Sequence, residues 1–333
     1  MDKPNIPMNW FPSPDRDAST MSAWERMLQG GDTSRSGILR GVVDRSWHRC
    51  LDGQVSPDLD SAPPPLEEDR LFDLRTTNER LLSGSLPTIL QTREFLLQTG
   101  TVLLLTDASG VILELAGDQR TWEPAGEIRL IPGCGWTELN CGTNAIGTAL
   151  ALGQPVQIHG AEHFCEGIKR WTCSATVIRD PLDGSVLGVI DLSGLAQSYS
   201  QQSLALIVSL AARIESRLGK LAMERRLRLL ERCMGYARRA HGIIVTDERG
   251  RLVRANARAQ AALARLGVST GIHHVFPRPE LAMIARGVMP PLMPDWLRQV
   301  QIEAINEGAE TLGFLLAISV ASERPVHRAS QYP

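Results

Sequence analysis

The sequence predicts an α+β protein of two mixed domains, each built on an antiparallel sheet and joined by one long helix. Three observations carry that prediction. Two stretches, TVLLL-TDASG-VILEL and GIIVTDERGRLVRANA, each read as apolar strand, Thr-Asp turn, apolar strand, which is a hairpin signal. Between them, from about Gln201 to Arg239, apolar residues return every three or four positions over the longest helical pattern of the chain. The length of 333 residues also exceeds the roughly 100–200 of one ordinary domain.

Taken in order, residues 1–34 are rich in Pro, Ser, Asp and Gly, show no period, and are expected to be disordered. Residues 35–84 form an N-terminal helical region. A short amphipathic helix over 36–51 carries Ile38, Val42, Trp47 and Leu51, and a longer helical pattern starts near Leu66. The four prolines between Gln54 and Pro65 exclude regular structure there. Residues 85–218 make the first domain. A helix runs over about 86–98, with Pro87 in its first turn, where a missing N–H costs nothing. The first hairpin follows, then the loop LIPGCGWTELNCG and a helix from Thr143, the expected N-cap, to Leu152, closed by Gly153. QPVQIHG reads as a strand, AEHFCEGIKRW as a short helix, and TCSATVIRD and SVLGVIDLSG as strands around an Asp180–Gly184 turn. Residues 219–240 link to a second domain over 241–321. It has a hairpin, a helix over 257–266 and two strands around Asn306-Glu307-Gly308, and an unstructured tail fills 322–333.

Composition narrows the function. Lys plus Arg number 35 against 37 acidic residues, a formal charge of −2, so nucleic-acid binding would need a local basic patch. Apolar runs such as Val102 to Leu105 are far too short to span a bilayer, and the Pro- and Asp-containing N-terminus lacks a signal-peptide pattern. Six scattered cysteines without CxxC spacing read as reduced thiols. The expectation is a cytoplasmic protein.

The densest set of functional side chains lies between Cys134 and Cys173. Trp136, Glu138, Asn144, His159, His163 and Phe164, with Cys173 close by, are the expected ligand pocket, since apolar walls with a few convergent polar groups suit a small molecule. Asn144 opens a helix whose free N–H groups can meet a polar ligand. His159 and His163 are four apart, a metal-binding spacing on a helix, but Gly160 breaks the helix and His159 ends a strand; no metal and no cofactor is expected. An alternative makes Cys134, Cys141 or Cys173 the thiol of a reductase or redox sensor, for which the thiol pKa must be lowered. Walker A and HExxH are absent, which argues against an enzyme. In the long helix, Leu204, Ile207, Ala211, Ile214, Leu218 and Leu221 recur like the seam of a parallel coiled coil. A homodimer through that seam is expected, and the basic residues around it read as a solvated face.

LLLTDASGVILELAGD, IPGCGWTELNCGTNAIGTALALGQPVQIHGAEHF and WTCSATVIRDPLDGSVLGVIDLSG, in that order, give the chain a family likeness. It resembles the sensory N-terminal half of sigma-54-dependent transcriptional activators of the acetoin and glycerol (dihydroxyacetone) catabolism type. Ser46-Trp47-His48-Arg49-Cys50 is similar to a helix signature of the same group. The resemblance implies a GAF domain with a small-molecule pocket near residues 159–164, and a PAS-like second domain. It implies an effector of the diol or hydroxyketone class, or a regulatory protein received by the GAF domain. The AAA+ ATPase and helix-turn-helix of such activators are not in this sequence. Contact with DNA is therefore expected only through a missing or separate output domain, whether the chain is part of a longer regulator or a shortened relative.

Overall fold

The computed structural model describes residues 10–31, 39–234, 242–265, 278–285, 287–288, 300–308 and 310–318. The chain divides into two units, Met1–Gly219 and Lys220–Pro333. Among the described residues, no helix is long and apolar enough to cross a membrane.

In the first unit four helices precede the sheet: α1 (Asp17–Leu28), α2 (Gly41–Asp52), α3 (Glu68–Thr77) and α4 (Glu79–Leu96). Strands β1 (Thr101–Asp107) and β2 (Ile112–Gly117) form the expected hairpin. Three short helices follow, α5 (Trp122–Glu127), α6 (Glu138–Cys141) and α7 (Ala145–Leu152). Then come β3 (Val156–His159), β4 (Trp171–Arg179), β5 (Val186–Leu195) and the long helix α8 (Gln201–Cys233), which belongs to this unit as far as Gly219. The sheet order is β2-β1-β5-β4-β3 with every neighbour antiparallel.

Both faces of this sheet are covered, so side chains alternate between two cores. Val102, Leu104, Ile112, Ala175 and Val189 join a core with α1, α2 and α7. Leu103, Leu105, Ile190 and Leu192 join a second core with α4 and the first turns of α8.

The second unit has the sheet β7-β6-β9-β8, made of β6 (Gly242–Asp247), β7 (Leu252–Ala255), β8 (Val300–Glu307) and β9 (Glu310–Ile318). Helices α9 (Ala257–Arg265) and α10 (Arg278–Ala285) lie between β7 and β8 in sequence. Its Thr-Asp hairpin repeats the first one in detail. Asp107 accepts from the Ser109 and Val111 amides at 3.0 and 2.8 Å, and Asp247 from those of Arg249 and Arg251, both at 2.9 Å. In each case the next strand pairs a glycine with the aspartate, Gly188 or Gly313, where a Cβ would overlap the Thr106 or Thr246 carbonyl.

Several expectations need correction. Residues 17–28, expected to be disordered, form α1, which buries Ala23, Trp24 and Met27 in the first core; a helix of mixed composition is stabilised here by tertiary burial rather than by propensity. Pro87 sits inside α4 rather than at a helix start. Burial of Leu81, Thr88, Ile89 and Leu96 on the inner face of α4 offsets the roughly 3 kcal/mol cost of an internal proline. The coiled-coil seam faces inward: Leu204, Ile207, Ala211, Ile214 and Leu218 are at most 5% exposed, and most of them pack in the second core of their own unit. The 160–168 segment forms two 3-10 turns, Gly160–Glu162 and Glu166–Ile168, instead of a helix. The expected end of the linking helix near Arg239 and the tail 322–333 lie outside the described residues.

Candidate functional site

Period-two alternation decides which side chains meet. Along β5, Val189, Asp191 and Ser193 take one side of the sheet while Ile190 and Leu192 take the other. Trp171 and Cys173 on β4 share the side of Asp191. The segment before α6 adds Trp136, the N-terminus of α7 adds Asn144, and the turn after β3 adds His163. Together with apolar residues such as Ile128 and Ile168 they enclose a cavity of about 10 Å³, room for one water-sized group.

The polar lining is incompletely paired. Ser193 Oγ donates to Asp191 Oδ2 at 2.5 Å, and Asp191 Oδ1 has no partner among the described residues. His163 Nδ1 lies 3.0 Å from the Gly160 carbonyl. That carbonyl only accepts, so Nδ1 carries the proton and Nε2 is left as an acceptor, also unpartnered. The Trp171 indole N–H likewise has no partner among the described residues. All three residues have no exposed surface. Burial pushes the Asp191 carboxyl up to about 7, against a lowering by the Ser193 hydroxyl, and pushes His163 down to about 3. Burial, then the nearby Asp191, raises the Cys173 thiol well above its ordinary value.

Four of the seven expected pocket residues, Trp136, Asn144, His163 and Cys173, line this cavity. Asn144 has another task than the one expected. Its Oδ1 accepts from the Gly147 amide at 2.9 Å and its Nδ2 donates to the Gly142 carbonyl at 2.8 Å, so it caps α7 itself; the N-cap is Asn144, not Thr143. His159 is outside the cavity because of strand parity: Val156 and Ile158 face the first core, so His159 faces away and meets the edge of Tyr199 at 4.9 Å between ring centroids. Glu138 lies beneath α2, where its carboxylate accepts from Ser46 Oγ at 2.6 Å, Thr148 Oγ1 at 2.8 Å and the Arg49 guanidinium at 2.6 and 2.7 Å. Phe164 is buried but contributes its backbone, whose carbonyl accepts from Trp24 Nε1 at 2.9 Å.

That last contact belongs to a clamp on the turn that carries His163. Trp47 Nε1 donates to the Glu162 carbonyl at 2.8 Å, and Arg40 holds the Glu162 carboxylate at 2.5 and 2.7 Å. Asp17 accepts from the Ala161 amide at 2.7 Å. Lys169 donates to the His163 carbonyl at 2.7 Å and stands 4.1 Å over the Trp24 ring.

Sequence reasoning missed Asp191 and Ser193 and left Trp171 out of the expected pocket. The signal was present: Asp191 is a carboxylate flanked by Val189, Ile190 and Leu192 in a strand whose one other polar side chain is Ser193. For the thiol alternative, Cys134, Cys141 and Cys173 are all buried and burial raises each of them, the reverse of what a reactive thiolate requires. Among the described residues no group of three or more His, Cys, Asp or Glu is placed to hold a metal.

Fold and site together define an α+β domain with an antiparallel five-stranded sheet and a small, mostly apolar cavity under one face. The chain belongs to the family described as MimR, N-terminal domain, which matches residues 16–217. It is 32% identical over 212 residues to the acetoin dehydrogenase operon transcriptional activator AcoR of Bacillus subtilis, covering 64% of this chain and 35% of that protein. It is 30% identical over 229 residues to the propane 2-monooxygenase operon transcriptional activator MimR of Mycolicibacterium goodii, covering 68% of this chain and 38% of that protein. The chain thus spans little more than a third of these relatives. In fold it is similar to a chain of the E. coli DhaR(N)–DhaL complex, with a TM-score of 0.56 at 19% identity, over 84% of this chain and 99% of that one.

Proposed function

We propose that the chain is the sensory portion of a bacterial transcriptional regulator, with a GAF-type first unit and a PAS-like second unit. The first unit takes a small neutral effector, and α8, which leaves it, carries the response toward an output. The carrying observation is a cavity inside the fold lined by His163, Trp171 and Asp191, each of which has a buried polar atom without a partner among the described residues, a costly arrangement for a purely structural core. The transcriptional activators among its relatives support the regulatory part of the reading. At about 10 Å³ the cavity admits a diol or hydroxyketone only if its walls yield, and such a coupled rearrangement is what a sensor needs. The dimer expected for such a regulator then has to use the outward face of α8, where Ala205, Ser209, Ala212 and Ser216 are exposed at steps of four, three and four. Thermal unfolding with and without 1,2-propanediol or hydroxyacetone tests the effector. A rise in midpoint that grows with concentration is expected, and no rise with either compound overturns it.

A second reading is that a partner protein is the signal, favoured by the DhaR(N)–DhaL complex in which the similar fold was solved. Co-purification of a protein that raises the unfolding midpoint, with no response to small molecules, would select it.

A further inference from the structure

We infer that the second unit binds a small apolar monocarboxylate on the sheet face turned away from α9 and α10, between the end of α8 and the edge strand β7, with Arg254 as the partner of the carboxylate. This site shares no residue with the cavity lined by Asp191 and does not depend on the effector reading of the first unit.

Strand parity builds the site. Ile244 and Ala255 pair across β6 and β7 and join the core with α9 and α10. Their neighbours Ile243, Val245 and Arg254 therefore take the other face, where Leu229 and Cys233 of α8 pack with Ile243, Val245 and Leu315. Arg254 stands directly across from Val245. Since β7 is an edge strand of four residues, its side of this face stays open. The cavity there measures about 290 Å³ and is lined by Leu230, Met234, Ile243, Val245, Arg254 and Asn256. That is close to the lower bound of about 300 Å³ for ligand pockets.

The walls are apolar except on the β7 side. Asn256 is committed to structure, its Oδ1 accepting from the Ile243 amide at 3.1 Å and the Ala259 amide at 2.8 Å. Arg254 is not: among the described residues no hydrogen bond or ion pair engages its guanidinium. By contrast, Arg225 pairs with Glu248 and Glu310, Arg228 and Arg232 with Glu307, and Arg251 with Asp247. No Asp or Glu is among the described lining residues, so nothing there repels an anion. A carboxylate presents two oxygens to a forked donor, while the apolar walls take its carbon body. An ammonium would meet a like charge. A neutral amide would keep an oxygen contact without charge assistance. A phosphate ester would bring a second charge against apolar walls.

Phenylacetate, phenylacetamide and 2-phenylethylamine share one apolar body and differ in head group. Calorimetric titration of the full chain at neutral pH should give binding by phenylacetate, about tenfold weaker binding by the amide, and none by the amine. Arg254 is exposed, so Arg254→Met and Arg254→Lys should both fold, which the unfolding midpoint checks. Arg254→Met should weaken phenylacetate binding about tenfold, and Arg254→Lys should restore part of it. Amide exchange places the ligand: phenylacetate should slow exchange of residues 230–234 and 252–256. Equal affinity for acid and amide, preference for the amine, or no binding by phenylacetate would each overturn the site. So would unchanged affinity in Arg254→Met, or protection confined to the first unit. Protection at 230–234 that grows with protein concentration without ligand would show a second copy seated in the groove, and would also overturn it. Should Arg254→Met fail to fold, the contrast of acid with amide and the exchange pattern decide.

Discussion

Arg49 reaches across 89 residues of chain to hold both oxygens of Glu138, with its Nε 2.6 Å from one and its Nη2 2.7 Å from the other. Ser46 and Thr148 donate to the same carboxylate. Helix α2 is thereby tied to the start of α6 and to α7 through one buried anion. Removing one partner of such a pair leaves a charge without compensation, whereas removing both does not. Arg49→Met should therefore lower unfolding free energy by about 3 kcal/mol, and Arg49→Met with Glu138→Gln by less than the single change. Urea denaturation reads the difference. A double variant less stable than Arg49→Met would contradict this account of Glu138.

Helix α1 gives a second expectation. Trp24 is 7% exposed and joins packing to a hydrogen bond with the Phe164 carbonyl and a stacked Lys169. Trp24→Ala should cost about 3–5 kcal/mol, and Trp24→Phe, which keeps most of the packing, about 1–2 kcal/mol. Amide exchange of residues 17–28 should be slow in the wild type and fast in Trp24→Ala. Fast exchange in the wild type would restore the disordered N-terminus that composition suggests.

Asp191 and His163 pull stability in opposite directions as pH changes. The folded-state pKa of Asp191 is raised to about 7 from 3.8, so its contribution is fully present below about pH 4 and is lost as pH rises toward 7 and beyond. The folded-state pKa of His163 is lowered to about 3 from 6.5, so its contribution is present above pH 6.5 and is lost as pH falls toward 3. Between about pH 4 and 6.5 the two slopes cancel. Asp191→Asn removes one of them. Its stability relative to wild type should rise with pH by about 1.4 kcal/mol per pH unit across that window. Parallel stability curves for the two proteins from pH 4 to 7 would show that Asp191 does not bind its proton in the folded state.

The two faces of α8 should respond differently. Ile214 has no exposed surface and packs in the second core, so Ile214→Ala should cost about 2–5 kcal/mol of stability without changing the sedimenting mass. Ala212 is exposed on the outward face, and Ala212→Glu should halve the sedimenting mass while leaving unfolding almost unchanged. A wild-type chain that sediments as a monomer would remove the dimer from the proposed function.

The sequence by itself determined the local grammar of this protein. Apolar alternation and the Thr-Asp turns at 106–107 and 246–247 place both hairpins, because strand period and turn chemistry are properties of neighbouring residues. The same holds for α7, announced by its capping residues, and for the long helix from Gln201. Tertiary structure decided which surfaces meet. The 204–218 seam has the period of a coiled coil, yet the sheet of its own unit takes it, since periodicity specifies an apolar face and not the partner that covers it. Composition makes residues 17–28 look unstructured, but a hydrophobic site formed by segments more than a hundred residues away gives Trp24 somewhere to be buried. His159 and His163 are four apart in sequence, yet only His163 lines the cavity, because His159 takes the side of β3 opposite to Val156 and Ile158 while His163 lies in the turn beyond that strand. Asp191 is a lone acid in an apolar strand until β4 and the 160–163 turn bring Trp171 and His163 to the same cavity, and only that long-range pairing makes it a candidate site.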